Sequence, residues 1–128
     1  MLINLSNHPS ENWSSNQKSD ANNKFSEIAD IQFPHIDPEA NEKYIMELAN
    51  FYRDKCINLF KERSGYNDND NAVHIMGEFT FTFALINLLI SKGIKCIAST
   101  TKRIIKELEN NKREVTFEYV RFREYVRI

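Results

Sequence analysis

The alternation of apolar and polar positions divides the chain into short strands and longer helices. Its most apolar stretch is Ala72–Gly93, AVHIMGEFTFTFALINLLISKG. The run Ala72–Met76 predicts a buried strand, Gly77-Glu78 a turn, and Phe79–Ile90 a helix. Phe81, Leu85, Leu88 and Leu89 share one helical face, and Phe83, Ala84, Ile86 and Ile90 cover most of the rest. A helix apolar nearly all round is expected inside a layered domain. It is too short to cross a bilayer. Gly93 suits a left-handed C-terminal cap. The turn is expected to leave the amides of Phe79, Thr80 and Phe81 free at a helix N-terminus, where an anion fits.

The remaining pattern reads as further strands and helices, with no internal repeat. Leu2–Ser6 predicts a first strand, broken by the turn-rich Asn7-His8-Pro9-Ser10. Ser14 or Ser15 opens a helix to Phe25 with serine as N-cap. Glu27–Phe33 alternates as a strand, with Ala29, Ile31 and Phe33 on one side. Asp37-Pro38-Glu39 predicts the start of a helix running to about Arg63, where Gly65 stops it. Ile94–Thr100 predicts the next strand. Lys102–Leu108 reads as a short helix or as more strand, and Asn110-Asn111 as the tip of a polar turn. Val115–Tyr125 predicts a long strand with Val115, Phe117 and Tyr119 on one face, continued by Arg121 and Arg123. The order β-α-β-α-β-α-β plus a strand or hairpin predicts one α/β domain over residues 1–128. It is expected to be a three-layer Rossmann-like sandwich with a mainly parallel sheet and an antiparallel C-terminal strand or hairpin. Such sheets bind ligands beyond the carboxyl ends of their strands. Ser6–Ser10, Gly77–Thr80 and Ser99–Arg103 leave those ends.

Composition narrows the partners. With 17 Lys and Arg against 18 Asp and Glu, the chain has no general attraction to duplex DNA. Residues 95–128 carry nine basic side chains against five acidic ones, leaving eight against thirteen elsewhere. That asymmetry suits a local anionic ligand, or simply a solvated face. Cys56 and Cys96 lie inside predicted elements and read as reduced core residues of a cytosolic protein. No signal peptide or membrane segment is predicted. No His, Cys, Asp or Glu spacing predicts a metal site, and the acids of Tyr66–Asn71 lack the glutamate a calcium loop needs. Phosphate loops, dinucleotide fingerprints and nucleophile elbows are absent from the sequence.

Candidate chemistry gathers at the strand ends. His8 can donate to phosphate or act as acid or base near neutrality; solvated loop histidine is the plain alternative. Trp13 reads as a stacking platform for a base or as a lid on the core. Gly77 reads as structural, and Glu78 as a ribose ligand or a helix-end acid. Ser99, Thr100 and Thr101 followed by Lys102 and Arg103 supply hydroxyls and cations, the groups that bind phosphate. Arg121 and Arg123 face an anion, a partner subunit or solvent at a sheet edge. His74 reads as a core histidine with one hydrogen bond, and His35 as an isolated loop residue.

LINLSNHP with Trp13 and Gln17, AVHIMGEFTFTFAL, CIASTTKR and FEYVRFREY together resemble small CRISPR-associated accessory proteins of type III systems. These are Rossmann-like relatives of the CARF domain, including ring nucleases and other binders of cyclic oligoadenylate. The resemblance implies a homodimer whose two-fold axis passes through the binding site. It also implies cleavage without metal or cofactor, the ribose 2′-hydroxyl attacking its own adjacent phosphate, or binding without cleavage. On this chain it would place Asn7, His8 and Ser10 at phosphate or base, and Trp13 and Gln17 at the rim. Gly77, Glu78 and Thr80 would hold ribose and phosphate. Thr100, Thr101 and Arg103 would orient the scissile linkage, with Ser99, Arg121 and Arg123 also binding the ligand. Catalysis would fall to His8, Thr101 and Arg103, none of them compelled to be a general base.

Overall fold

The computed structural model describes residues 1–128. Five strands form one sheet: β1 (Leu2–Ser6), β2 (Ile28–Asp30), β3 (Ala72–Met76), β4 (Lys95–Glu107) and β5 (Arg113–Glu124), in the order β2-β1-β3-β4-β5. The first four strands run parallel and β5 returns antiparallel to β4. Three helices connect them: α1 (Ser15–Phe25), α2 (Glu42–Glu62) and α3 (Phe79–Ser91). No helix is long and apolar enough to cross a membrane.

Topology decides which face each helix covers. The chain steps one way from β1 to β2, then reverses to reach β3 and continues to β4. With right-handed crossovers, α1 must lie on one face and both α2 and α3 on the other. The core divides accordingly. Ile3, Leu5, Val73, Ile75 and Cys96 pack against Ala49, Cys56, Phe60, Phe81, Leu85 and Leu89 of α2 and α3. Leu2, Ala72, Ile97 and Phe122 pack against Trp13, Ala21 and Phe25 on the α1 side. Burying each such large side chain contributes about 1.5–3 kcal/mol. The α1 side has one helix for the whole width of the sheet, so part of that face stays open.

Local chemistry moved several boundaries. Ser14 caps α1, its Oγ accepting from the Gln17 N–H at 3.2 Å. The helix expected to be capped by Asp37 is capped four residues later. Asp37 instead closes a turn of its own, accepting from the Glu39 N–H at 2.9 Å, and Asn41 caps α2 by accepting from Tyr44 at 3.1 Å. The regular part of β2 is shorter than Glu27–Phe33, although Ala29, Ile31 and Phe33 do pack on one side. Lys102–Leu108 is strand through Glu107, and Asn110 and Asn111 adopt φ of 64° and 59° at the tip. Gly93, at φ +77°, supplies the expected left-handed turn after α3. The α3 helix is not enclosed all round: Phe79 is 89% and Phe83 72% exposed.

The face expected of β5 also changes. Thr100 pairs with Arg121 but Thr101 pairs with Tyr119, so Val120 is an extra residue. One bulged residue inverts the alternation beyond it. Phe122, rather than Arg121, therefore joins Tyr119 on the α1 side, their rings 5.2 Å apart. Arg121 and Arg123, opposite Thr100 and Ala98, turn to the other face.

Gly77 is required by packing. A Cβ there would collide with the Phe33 ring, which stacks edge-on to Phe81 at 5.4 Å. Gly77→Ala is expected to destabilise the fold by about 1–3 kcal/mol, the usual penalty for overpacking. Urea unfolding measures it, and combining the change with Phe33→Leu should recover part of the loss. An unchanged midpoint for Gly77→Ala would show that the ring does not hold that position.

Candidate functional site

Strand alternation builds a polar row on the open half of the α1 face. Leu2 and Ala72 are the apolar first steps of β1 and β3; two residues further on stand Asn4 and His74, and Ile97 is followed likewise by Ser99. Register sets Asn4 beside both Asp30 and His74. Asn4 Nδ2 donates to Asp30 Oδ1 at 2.8 Å and to the His8 carbonyl at 2.9 Å. Its Oδ1 accepts from the Ser6 hydroxyl at 2.8 Å and lies 2.9 Å from His74 Nδ1. His74 Nε2 lies 3.2 Å from Ser99 Oγ. Asn4 and His74 are 1% and 2% exposed, so these bonds replace all their contact with water. A buried polar group left unpaired would cost about 1–3 kcal/mol.

The same carbonyl fixes the turn after β1. His8 O also accepts from Trp13 Nε1 at 3.1 Å. The indole is thereby laid edge-on against His74, centroids 5.2 Å apart, and against Phe122 at 6.0 Å. Beside it opens a cleft of about 450 Å³. His8, Trp13 and Gln17 line one wall, Ser99 and Thr101 the strand side, Phe117 and Tyr119 the far wall, with His74 among them. None of its lining residues is an aspartate or glutamate. The Tyr119 hydroxyl bonds Asp20 of α1, which ties β5 to the helix at the cleft's edge.

Five expected site residues thus meet in one cleft: His8, Trp13, Gln17, Ser99 and Thr101. Arg103 follows two residues beyond Thr101 on the same strand face, paired with Phe117. The others are placed elsewhere. Asn7 borders a separate polar hollow of about 490 Å³ over the ends of β1 and β2. Ser10 is committed to Asp30 through its hydroxyl at 2.6 Å and its N–H at 3.0 Å. Thr100 donates to the Arg121 carbonyl at 3.1 Å and, with Arg121 and Arg123, faces away from the cleft. The glycine bend leads to the α2 and α3 side. There Glu78 caps α3, accepting from the Phe81 N–H at 2.9 Å and from the Thr80 hydroxyl at 2.7 Å. A carboxylate thus occupies the helix end expected to receive an anion. Asn4, Asp30, Tyr119 and Phe117 were not singled out from the sequence. For Asn4 and Asp30 the signal available was a polar residue at the third position of an otherwise apolar strand, seen in LINLS and IAD.

The fold and cleft define a Rossmann-like α/β protein with an acid-free pocket at the point where strand order reverses. The chain belongs to the family described as the uncharacterized protein MJ1673 family, whose model matches residues 1–123. It is similar to the uncharacterized protein MJ1673 of Methanocaldococcus jannaschii, at 39% identity over 56 residues. That match covers 41% of this chain and 43% of the relative, less than half of either. No solved structure matches the chain. The family description states no activity.

Burial governs the site's titration. It pushes His74 down from its ordinary 6.5 to about 4, with a smaller contribution from the nearby His8 charge. Burial alone would raise Asp30, but bonds from the Ser10 hydroxyl, Asn4 and the Ser10 N–H outweigh it and hold the carboxyl below 3.8. Both buried cysteines, each a free thiol, are pushed up to about 12. The unfolded chain protonates His74 near 6.5 and the folded chain only near 4. Stability from its neutral burial is therefore complete above pH ~6.5 and drains as pH falls toward 4. We expect the wild type to lose roughly 2–3 kcal/mol between pH 7 and 4.5. His74→Gln should be less stable at pH 7 yet flatter over that window, as read by urea midpoints; equal slopes would remove His74 as the cause.

Proposed function

We propose that the cleft binds a cyclic oligoadenylate shared by two copies of the chain and cleaves it through a ribose 2′-hydroxyl. The observation that carries this reading is the acid-free lining at the carboxyl edge, in a chain whose acids outnumber its bases. Phosphodiesters are repelled by carboxylates and need donors and flat apolar surfaces for their bases. Here the hydroxyl of Thr101, the imidazole of His8 and the aromatic groups Trp13, Phe117 and Tyr119 border one space. Arg103 stands at its outer end. Met76 and Phe117, exposed and lining the cleft, offer apolar surface to a second copy.

In this scheme the 2′-oxygen attacks the adjacent phosphorus and its proton passes to His8. The bond from phosphorus to the 5′-oxygen breaks, and that oxygen takes a proton from water, while the Thr101 hydroxyl orients the linkage. The products are a 2′,3′-cyclic phosphate and a 5′-hydroxyl, with Arg103 neutralising charge on the phosphoryl oxygens. Holding attacker and leaving group in line lowers the barrier by about 7–11 kcal/mol at best. A sensor that keeps the ring intact is a second reading. It is favoured by the position of Arg103, one step outside the lining.

Incubation with radiolabelled cyclic tri-, tetra- and hexa-adenylate in EDTA separates the two. Linear products with cyclic phosphate ends are expected; a gel shift with intact ring supports the sensor, and neither result sinks both readings. Arg103→Ala and His8→Ala should each lower cleavage by at least about a hundredfold, the low end for one charge-stabilising or acid–base group, with the unfolding midpoint unchanged. Light scattering with ligand present should give about twice the 15.1 kDa chain mass. A monomer would remove the shared pocket.

A further inference from the structure

The polar row fixes more than position; it fixes the direction of one hydrogen. Asn4 Nδ2 faces two groups that can only accept, the Asp30 carboxylate at 2.8 Å and the His8 carbonyl at 2.9 Å. Turning the amide over would set its oxygen against both of them. The orientation of Asn4 is therefore determined, and its Oδ1 is the atom presented to His74. An oxygen there requires the proton of a neutral imidazole to sit on Nδ1, which leaves Nε2 a bare lone pair. Ser99 Oγ, 3.2 Å from Nε2, is then the only group in that contact with a hydrogen to give. Its other neighbour, Met76 Sδ at 3.2 Å, is a thioether and a much weaker acceptor than imidazole nitrogen.

We propose that Ser99 is the specificity-determining acceptor of the cleft: its proton is held inward, so it receives a hydrogen bond from a donor on the ligand and offers none to phosphate. On an adenylate ring the donors within this chemistry are the ribose 2′-hydroxyl and the exocyclic amine of the base. The inference rests on the cyclic oligoadenylate reading for the identity of the ligand, and on geometry alone for the direction of the hydroxyl. The order Ser99, His74, Asn4 resembles a nucleophile with its base and orienting group, but the imidazole is sealed behind Trp13 and Phe122, with centroids 5.2 and 5.8 Å away. Its depressed basicity, near 4, gives a proton no resting place there at neutral pH. Ser99 is a positioning group, not an attacking oxygen.

Two measurements test this. Long-range proton–nitrogen correlation spectra of the folded chain, with His74→Gln identifying the resonance, should show His74 protonated on Nδ1 and bare on Nε2. Ser99→Ala should then shift the Nε2 signal as it loses its donor. A ring protonated on Nε2 overturns the proposal. For the ligand, calorimetry compares wild type and Ser99→Ala against cyclic tetra-adenylate, its all-2′-deoxy form and cyclic tetra-inosinate, which replaces the amine by a carbonyl. Ser99→Ala should weaken the adenylate ring by about tenfold and leave within about twofold the analogue that lacks the contacted donor. Which analogue is indifferent tells ribose from base. Equal losses for all three rings would mean that Ser99 donates to phosphate, contrary to the proposal. If wild type binds none of the rings, the oligoadenylate reading falls and takes the ligand assignment with it, while the spectra still decide the hydroxyl's direction.

Discussion

The fold turns on the side-chain amide of Asn4. It lies on the middle strand of the three that carry β2, β1 and β3, and every one of its hydrogen-bonding sites is used. Through them it joins Asp30, His74, Ser6 and the turn at His8. A polar side chain in a parallel sheet normally costs stability, because burial removes water that the protein must replace. Here the replacement is complete, and partial replacement would be worse than an apolar core. The network also brings specificity of register: slipping β2 or β3 by one residue would move Asp30 or His74 to the opposite face.

The open cleft follows from handedness more than from any single residue. Reversal of strand order after β2 sends two helices to one face and leaves α1 alone on the other. Trp13, hung from the His8 carbonyl, covers the gap between α1 and β4 but does not fill it. The β4–β5 pair supplies the remaining wall, and its bulge at Val120 lets Tyr119 and Phe122 share a face. Asp20 then fastens Tyr119 to α1 and stiffens the wall.

Much of this was legible in the chain. Leu2–Ser6, Ala72–Met76 and the helix that starts at Phe79 are apolar runs bounded by turn residues, and their boundaries hold to within a residue. Asp37-Pro38 misled because the same groups that cap a helix also close a free-standing turn, and Asn41 competes four residues later for the real cap. The faces of Arg121 and Arg123 depended on a bulge, which leaves no mark in composition. Phe79 and Phe83 look like core by hydropathy alone, since nothing in a helix's own sequence says how many neighbours will surround it. His74 read correctly as buried, though it has two hydrogen-bond partners instead of one. The row itself leaves no mark in the sequence, because each member is ordinary alone. Asn, Asp, His and Ser become a network only when register aligns them.

That alignment also explains how a carboxylate can organise the cleft without lending it negative charge. Asp30 is on β2 and Ser99 on β4, three strand spacings apart, or roughly 14 Å at about 4.8 Å per strand. The Debye length at physiological salt is about 8 Å, so the charge is largely spent before it reaches solvent in the cleft. Three hydrogen bonds further tie down Asp30's own oxygens. Orientation, by contrast, does not decay with distance along the row: it passes through a neutral amide and a neutral imidazole, each with one donor side and one acceptor side. A charged residue in either position would carry the field along with the direction. Neutral relays pass on only the direction, and that is what lets acid-anchored geometry coexist with an acid-free pocket.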